Sequence, residues 1–560
     1  MEVASLLPHM MRKAMLQLMK GNCAMYRQAV CVVTFFCVAL MGVLALEAVN
    51  MESEKLDKGI TIANKGTSNP VLLYNGKPMM RMGSVSETGL FAFPWDSSEP
   101  VVADKTHSQW AEWQKTNGMG YARAYPESGF TWWKKGDRSE KTIPWKVDHW
   151  VYDYNPDGEP VVDLTQFDDN YWREFENTLR KCKENDIIVI IQLYQACYFG
   201  TLSSEKTGHN RTWWEMSFFH PNNNINHWPI GAIWGNRGIE CGNDFMQRCV
   251  DDYHGEKNTW WKLHSEYVRR ILDSIGDKGN VIIDLGNELG YPDEGFHCYE
   301  WVERTIDFAE EWESQHDVDI LIGMDEFCWF RVSDRADWVR THPRLDFLVF
   351  HGAADVLHEE DYDFKKGHTP RDAGKMRIQH RKPGVTIQNH DLAKTWPVKD
   401  AAFQRSYHWL GMMQKIQALA SYGYGKFVQD ETEREKFESD TMFLMDLYNS
   451  LRDYTSLIMN DESSGKITEA PGYDKYKYLL SSGKEALFYT HTEEYGVNVP
   501  EGQVLKLDNL DLPDGRVRVR IIKPHDQSIE ERTNEISNGS IDIALPSFFE
   551  DIAVYIELGE

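Results

Sequence analysis

Between residues 76 and 460 the chain alternates two patterns. Short runs are apolar throughout, and longer ones repeat apolar residues every three or four positions. The short runs fall at 78–84, 120–125, 186–194, 280–288, 319–326, 345–352, 384–391 and 424–431. Between them lie helical patterns at 170–185, 260–276, 298–316 and 401–423. Runs such as DIIVIIQLY lack in–out alternation, as expected of parallel strands buried on both faces. Eight such strands, each followed by a helix or a long loop, predict a (β/α)8 TIM barrel, an α/β fold.

The pattern changes at both ends. Residues 49–75 read as short strands leading into the barrel, with Asn75-Gly76 a hairpin signal. Beyond 465 the period becomes two, in KYLLSSGKEALFYT, GRVRVRIIK, GSIDIAL and DIAVYIEL. That predicts a small C-terminal antiparallel β-sandwich over 465–560. Residues 199–256 separate the third strand from its helix and carry Trp213, Trp214, Phe218, Phe219, Trp228 and Trp234. So long a loop with so many aromatics predicts a cleft wall. At the start, Arg12, Lys13, Lys20 and Arg27 precede an apolar run from Ala29 to Leu46, with small residues at Ala45 and Ala48. The arrangement predicts a signal peptide over 1–48, hence a secreted or periplasmic protein with no membrane attachment after cleavage. An uncleaved membrane anchor is the alternative.

Composition narrows the function. A formal net charge of −27 excludes the basic surfaces that bind nucleic acid. Aromatic residues make up 12% of the chain, including 20 Trp and 25 Tyr. Flat apolar faces beside hydrogen-bonding groups suit sugars. The cysteines match no zinc spacing; Cys241 and Cys249 either bridge or are buried thiols. No metal and no cofactor is implied.

Barrel chemistry sits at the carboxyl ends of the strands. Those ends carry Arg123 and Tyr125, Gln192 and Tyr194, Asn287 and Glu288, Glu326, His351, Asn389 with His390 and Asp391, and Glu431. Trp329 and Trp396 follow strands five and seven. A mouth of acids, amides and aromatics suits glycoside hydrolysis, which needs one protonated and one ionised carboxyl. Glu288 is the candidate general acid, and Asn287 beside it would meet a sugar hydroxyl. Each assignment has a plain alternative. Glu288 either donates the proton or caps the next helix, and Asp391 either serves as the second carboxylate or caps LAKTW. Arg123 binds substrate or pins carboxylates, His351 meets sugar or supports the site from behind, and both Trp residues stack on sugar or pack in the core.

Asn287-Glu288 at the end of the fourth strand resembles the acid/base signature of the clan of (β/α)8 retaining glycosidases that includes cellulases, mannanases and β-galactosidases. NPVLLYNGKPMMRMGS is similar to the opening of cellulase-like and apiosidase-like barrel proteins, which often end in a small β-sandwich. The resemblance implies a glycosidase acting on a polysaccharide or oligosaccharide. The clan's nucleophile is a Glu ending strand seven, where this chain has Gln388; Asp391 is the substitute, with Glu326 and Glu431 behind it. A carboxyl separation of about 5 Å would mean retention and about 6.5–9.5 Å inversion. The long third loop favours exo action. A carbohydrate-binding barrel without hydrolysis is the alternative reading, motivated by Gln388.

Overall fold

A computed structural model describes residues 59–85, 107–126, 143–152, 159–194, 217–226, 240–255, 259–287, 298–325, 333–353, 370–390, 401–422, 431–460, 464–472, 477–492 and 495–559. The segment 1–48, expected as a signal peptide, lies outside them. Eight parallel strands form the barrel: β1 (Arg81–Val85), β2 (Tyr121–Ala124), β3 (Ile188–Gln192), β4 (Val281–Asp284), β5 (Ile322–Asp325), β6 (Phe347–Ala353), β7 (Gly384–His390) and β8 (Ala418–Tyr422). Strands β2 to β7 make one continuous parallel ladder, and β8 pairs with β1. Two junctions close the ring. Gly120 N donates to Met82 O at 2.7 Å between β2 and β1, and Gln417 N donates to Gly384 O at 3.0 Å between β8 and β7.

Seven strands lie where the apolar runs put them. The eighth does not. Residues 424–431 were expected as strand eight and 401–423 as one helix, but the helix ends at Met413 and the strand is Ala418–Tyr422. The run ALASY has too few branched or aromatic residues to announce a strand, and it continues the preceding helical spacing. A second ribbon was not foreseen. Trp145–Val151 pairs antiparallel with Glu159–Phe167 between β2 and its helix.

The outer helices are amphipathic. Helix Asp169–Glu184 starts at Asp168, whose carboxylate accepts from Asn170 N and Tyr171 N, and it buries Tyr171, Trp172, Phe175, Leu179 and Cys182 against the strands. Part of the third-loop insertion is core. Phe218 and Phe219 are buried against Trp145, with ring centroids 5.6 and 5.5 Å away. For these two rings the expected cleft wall is corrected, because packing leaves no face for a ligand. The four tryptophans of that insertion lie outside the described residues. Helix Glu240–His254 holds both Cys241 and Cys249, two turns and about 12 Å of rise apart, too far to bridge. Cys249 is a buried free thiol.

Inside the barrel, side chains of one parity stack in layers. Tyr121, Ile188, Ile190, Ile282, Leu321, Phe347, Val349, Val385 and Ala418 form the apolar filling. Gly323 of β5 leaves room for the Phe347 ring: a methyl group there would lie 2.5 Å from it. The amino-terminal end is plugged by the hairpin Val71–Tyr74/Lys77–Pro78, which turns at Asn75-Gly76 with φ of 51° and 73°. Gln417, fully buried, holds the plug through Leu72 N (2.6 Å), Leu72 O (2.8 Å) and Met79 O (2.8 Å).

The C-terminal part has a six-stranded antiparallel sheet facing a smaller three-stranded one, with a core of Leu479, Phe488, Leu505, Val519, Ile543 and Val554 between them. It docks on helix Ala401–Met413 through buried Arg405, which reaches Glu550 (2.5 Å), Asp551 (3.1 Å) and Asp440 (3.4 Å). Trp409 stacks on Tyr489 at 5.0 Å.

Candidate active site at the carboxyl end of the barrel

Strand pleating decides which side chains face inward, and the inward parity that is apolar below turns polar near the carboxyl ends. Two residues beyond Tyr121, Ile190 and Ile282 stand Arg123, Gln192 and Asp284, and two beyond Gly323 stands Asp325. All four are buried, on four neighbouring strands. They form a belt across half of the barrel just under its mouth.

Hydrogen bonds join the belt. Arg123 Nε donates to Gln192 Oε1, and Gln192 Nε2 donates to Asp284 Oδ2. Asp284 Oδ1 accepts from Asp325 N at 2.9 Å and Gly286 N at 3.2 Å. The carboxylate thus replaces ladder partners where β4 bends away after Asp284. Burial, and then the neighbouring Asp325, push the Asp284 carboxyl up to about 7, while its hydrogen bonds from Gln192, Gly286 and Asp325 act in the opposite direction. The Arg123 guanidinium lies over the Tyr125 ring, 4.3 Å from its centroid.

Beyond the belt, Leu193 N donates to Asp284 O at 3.0 Å and Asn287 N to Tyr194 O at 2.8 Å. These contacts extend the β3–β4 pairing to the residue preceding Glu288. Asn287 is 1% exposed.

The expected site residues separate into groups. Arg123, Tyr125, Gln192, Tyr194 and Asn287 come together at the ends of β2, β3 and β4, as a floor beneath the mouth. Three of them make contacts within the protein. Both polar atoms of Gln192 are engaged within the belt, the Tyr125 ring lies under Arg123, and the Tyr194 hydroxyl meets His264 Nδ1 at 2.9 Å. All three are buried, and these polar contacts of Gln192 and Tyr194 are made to other protein groups. His351, Asn389 and His390 lie in the β6–β7 ladder, where His351 pairs with Gln388, Gly352 with Asn389 and Ala353 with His390; their side chains lie outside the described residues. Glu288, Glu326, Trp329, Asp391 and Trp396 also lie outside them. Glu431 is not on a strand. It is the exposed first residue of helix Glu431–Ser450 and pairs with Arg434 at 3.4 Å, because strand eight ends at Tyr422.

Two residues escaped the sequence reading. Asp284 was hidden inside an apolar run, although parity marks it: it shares a face with Ile282. His264, fully buried in helix Thr259–Ile275, gives no signal in sequence. Among the described residues no group of His, Cys, Asp and Glu is arranged to hold a metal ion.

Solved structures share this architecture. A glycoside hydrolase aligns with a TM-score of 0.51 at 11% identity, over 90% of this chain and 97% of its own. A family 5 glycoside hydrolase from Bacteroides vulgatus gives a TM-score of 0.52 at 11% identity, over 90% and 94%. The fold is that of (β/α)8 glycoside hydrolases. No sequence-family model and no curated protein matches the chain. At such low identity the likeness speaks for the fold, and chemistry has to be argued from residues.

Proposed function

We propose that the protein is an exported glycoside hydrolase that cleaves O-glycosidic bonds in a polysaccharide or oligosaccharide, with Glu288 as general acid/base. The observation that carries this reading is the tie of Asn287 to Tyr194 above a buried belt holding Arg123, Asp284 and Asp325. Such folds do their chemistry at the carboxyl ends of the strands, and Glu288 directly follows Asn287 in the sequence. A carboxyl beside further acids keeps its proton to higher pH, as a general acid requires. The glycosidase-type fold supports the same reading. Asp391 is the second carboxylate, and Asn287 holds the sugar hydroxyl next to the reacting carbon. His351, Asn389 and His390 contact further hydroxyls, and Trp329 and Trp396 flank the ring. Export rests on the basic, then apolar leader.

The test is a panel of aryl glycosides and plant or algal oligosaccharides with wild type, Glu288→Gln and Asp391→Asn. Wild type should turn over at least one sugar. Glu288→Gln should lose about 10²–10⁴-fold on natural linkages, the contribution of a general acid. It should lose far less on glycosides of very acidic phenols, whose departure needs no proton. Equal loss on both would remove Glu288 from the acid role.

A second reading has an observation behind it. Strand seven carries Gln388 where the resembled clan has its nucleophile. A barrel that binds sugar without cleaving it would show affinity in calorimetry and no turnover on any glycoside.

A further inference from the structure

We propose that His264 is a positioning residue for the candidate acid. Together with Tyr194 and Thr305 it forms a one-directional hydrogen-bond relay that anchors the end of strand three, and through it Asn287, to the outer helices. The inference rests on the hydrolase reading only for its effect on rate; the anchoring of Asn287 is measurable without it.

The relay can be followed proton by proton. Thr305 has one hydroxyl hydrogen, and it goes to Trp301 O at 2.7 Å. Towards His264 Nε2, 2.9 Å away, Thr305 therefore accepts, so Nε2 carries the hydrogen. In the neutral ring Nδ1 is then bare and accepts from the Tyr194 hydroxyl at 2.9 Å. Each donor points away from the barrel, from Tyr194 to His264 to Thr305 to the Trp301 carbonyl. The ring does stay neutral: complete burial holds His264 at about 3, so the direction does not reverse at any pH near neutrality. The imidazole is wedged between Trp301 and Trp261, with centroids 5.0 and 5.4 Å away, and cannot turn over freely.

The other end of the relay is at the site. Tyr194 is gripped at its hydroxyl by His264 and offers its carbonyl to Asn287 N at 2.8 Å. Leu285 N still continues the rungs to strand five through Gly323 O, but Gly286 N is taken by the Asp284 carboxylate, which interrupts the pairing of β4 with strand three there. Tyr194 is thus what brings Asn287 back against strand three after the bend. Three buried polar side chains add little net stability over apolar ones of the same shape, but they fix one geometry. A general acid one residue further along is sensitive to small displacements.

The test uses the full chain with Tyr194→Phe, His264→Gln, Thr305→Val and Thr305→Ser. Phe and Val each remove one hydroxyl at nearly constant volume, and Ser restores the hydroxyl of Thr305. Two readouts are taken: hydrogen exchange at the Asn287 amide, and kcat and KM on a glycoside that wild type hydrolyses. The expected results are at least tenfold faster exchange in Tyr194→Phe and Thr305→Val, with global melting within a few degrees of wild type. In the same variants kcat should fall about tenfold with KM within twofold, and more on poor leaving groups than on acidic phenols. Thr305→Ser should return both readouts towards wild type. Should His264→Gln or Tyr194→Phe not fold, Thr305→Val and Thr305→Ser decide. Unchanged Asn287 exchange together with unchanged kcat in Thr305→Val would overturn the proposal. So would equal loss in Val and Ser. If wild type hydrolyses no glycoside, the hydrolase reading falls and the exchange result still decides the anchoring.

Discussion

The two ends of the barrel are made by the same strands, with the same side-chain parity, and they are built to opposite specifications. At the amino-terminal end, Ile188, Ile190, Ile282 and Phe347 meet a hairpin plug, and Gln417 satisfies the backbone of that plug. One pleat further along, Arg123, Gln192, Asp284 and Asp325 take the same inward places. A buried isoleucine stabilises by roughly 1.5–3 kcal/mol. A buried carboxylate beside another costs free energy even when hydrogen-bonded, and burial with the neighbouring Asp325 raises Asp284 accordingly. Stability is therefore concentrated at one end, and electrostatic strain is held at the other, where chemistry is expected. The lower layers carry the upper.

The sharpest way to break this comparison is at the mouth. Glu288→Gln should abolish hydrolysis of natural linkages by about 10²–10⁴-fold with melting unchanged, as read by steady-state kinetics beside thermal denaturation. The complementary change lies at the lower layer. Ile190→Ala should cost roughly 2–5 kcal/mol in urea unfolding, while kcat per folded molecule stays at the wild-type value. A fall in kcat there would mean that the two ends are not separable. Gln417→Leu strands Leu72 N, Leu72 O and Met79 O in the plug, with an expected loss of about 1–3 kcal/mol, and again no change in kcat.

The smallest effect is one of slope. The native Asp284 carboxyl holds its proton up to about 7, well above the ordinary value of 3.8. Between those values the native state binds more protons than the unfolded chain, so stability from this group is complete below pH 4 and lost as pH rises through 7. Asp284→Asn should flatten the stability curve between pH 4 and 7, as measured by urea midpoints across that range. A slope identical to wild type would remove the strain from the upper layer.

How much of this was legible in the chain follows from what each signal measures. Fully apolar runs report burial on both faces, so strands such as 188–192 and 281–284 stand out, and with them the barrel. Asn75-Gly76 reports a turn that needs positive φ twice, and the hairpin forms there. Strand eight was misplaced because Ala418, Ala420 and Ser421 continue a helical rhythm, and only pairing with β1 makes them a strand. The ribbon 145–167 was missed because its exposed face carries His149 and Lys146 in no clean alternation, with two register shifts along its length.

The site divides in the same way. By itself the sequence determined the period of each segment, the strand ends and hence the neighbourhood of Arg123, Gln192, Tyr194 and Asn287, because burial and periodicity are local properties of a run of residues. Tertiary structure decided which of these residues hold one another. Gln192 turned out to be a link between Arg123 and Asp284, the Tyr194 hydroxyl to meet His264, and Glu431 to begin an outer helix. His264 and Tyr194 are separated by 70 residues. No spacing rule reaches that far, since a hydrogen bond between them exists only once helix and strand have packed.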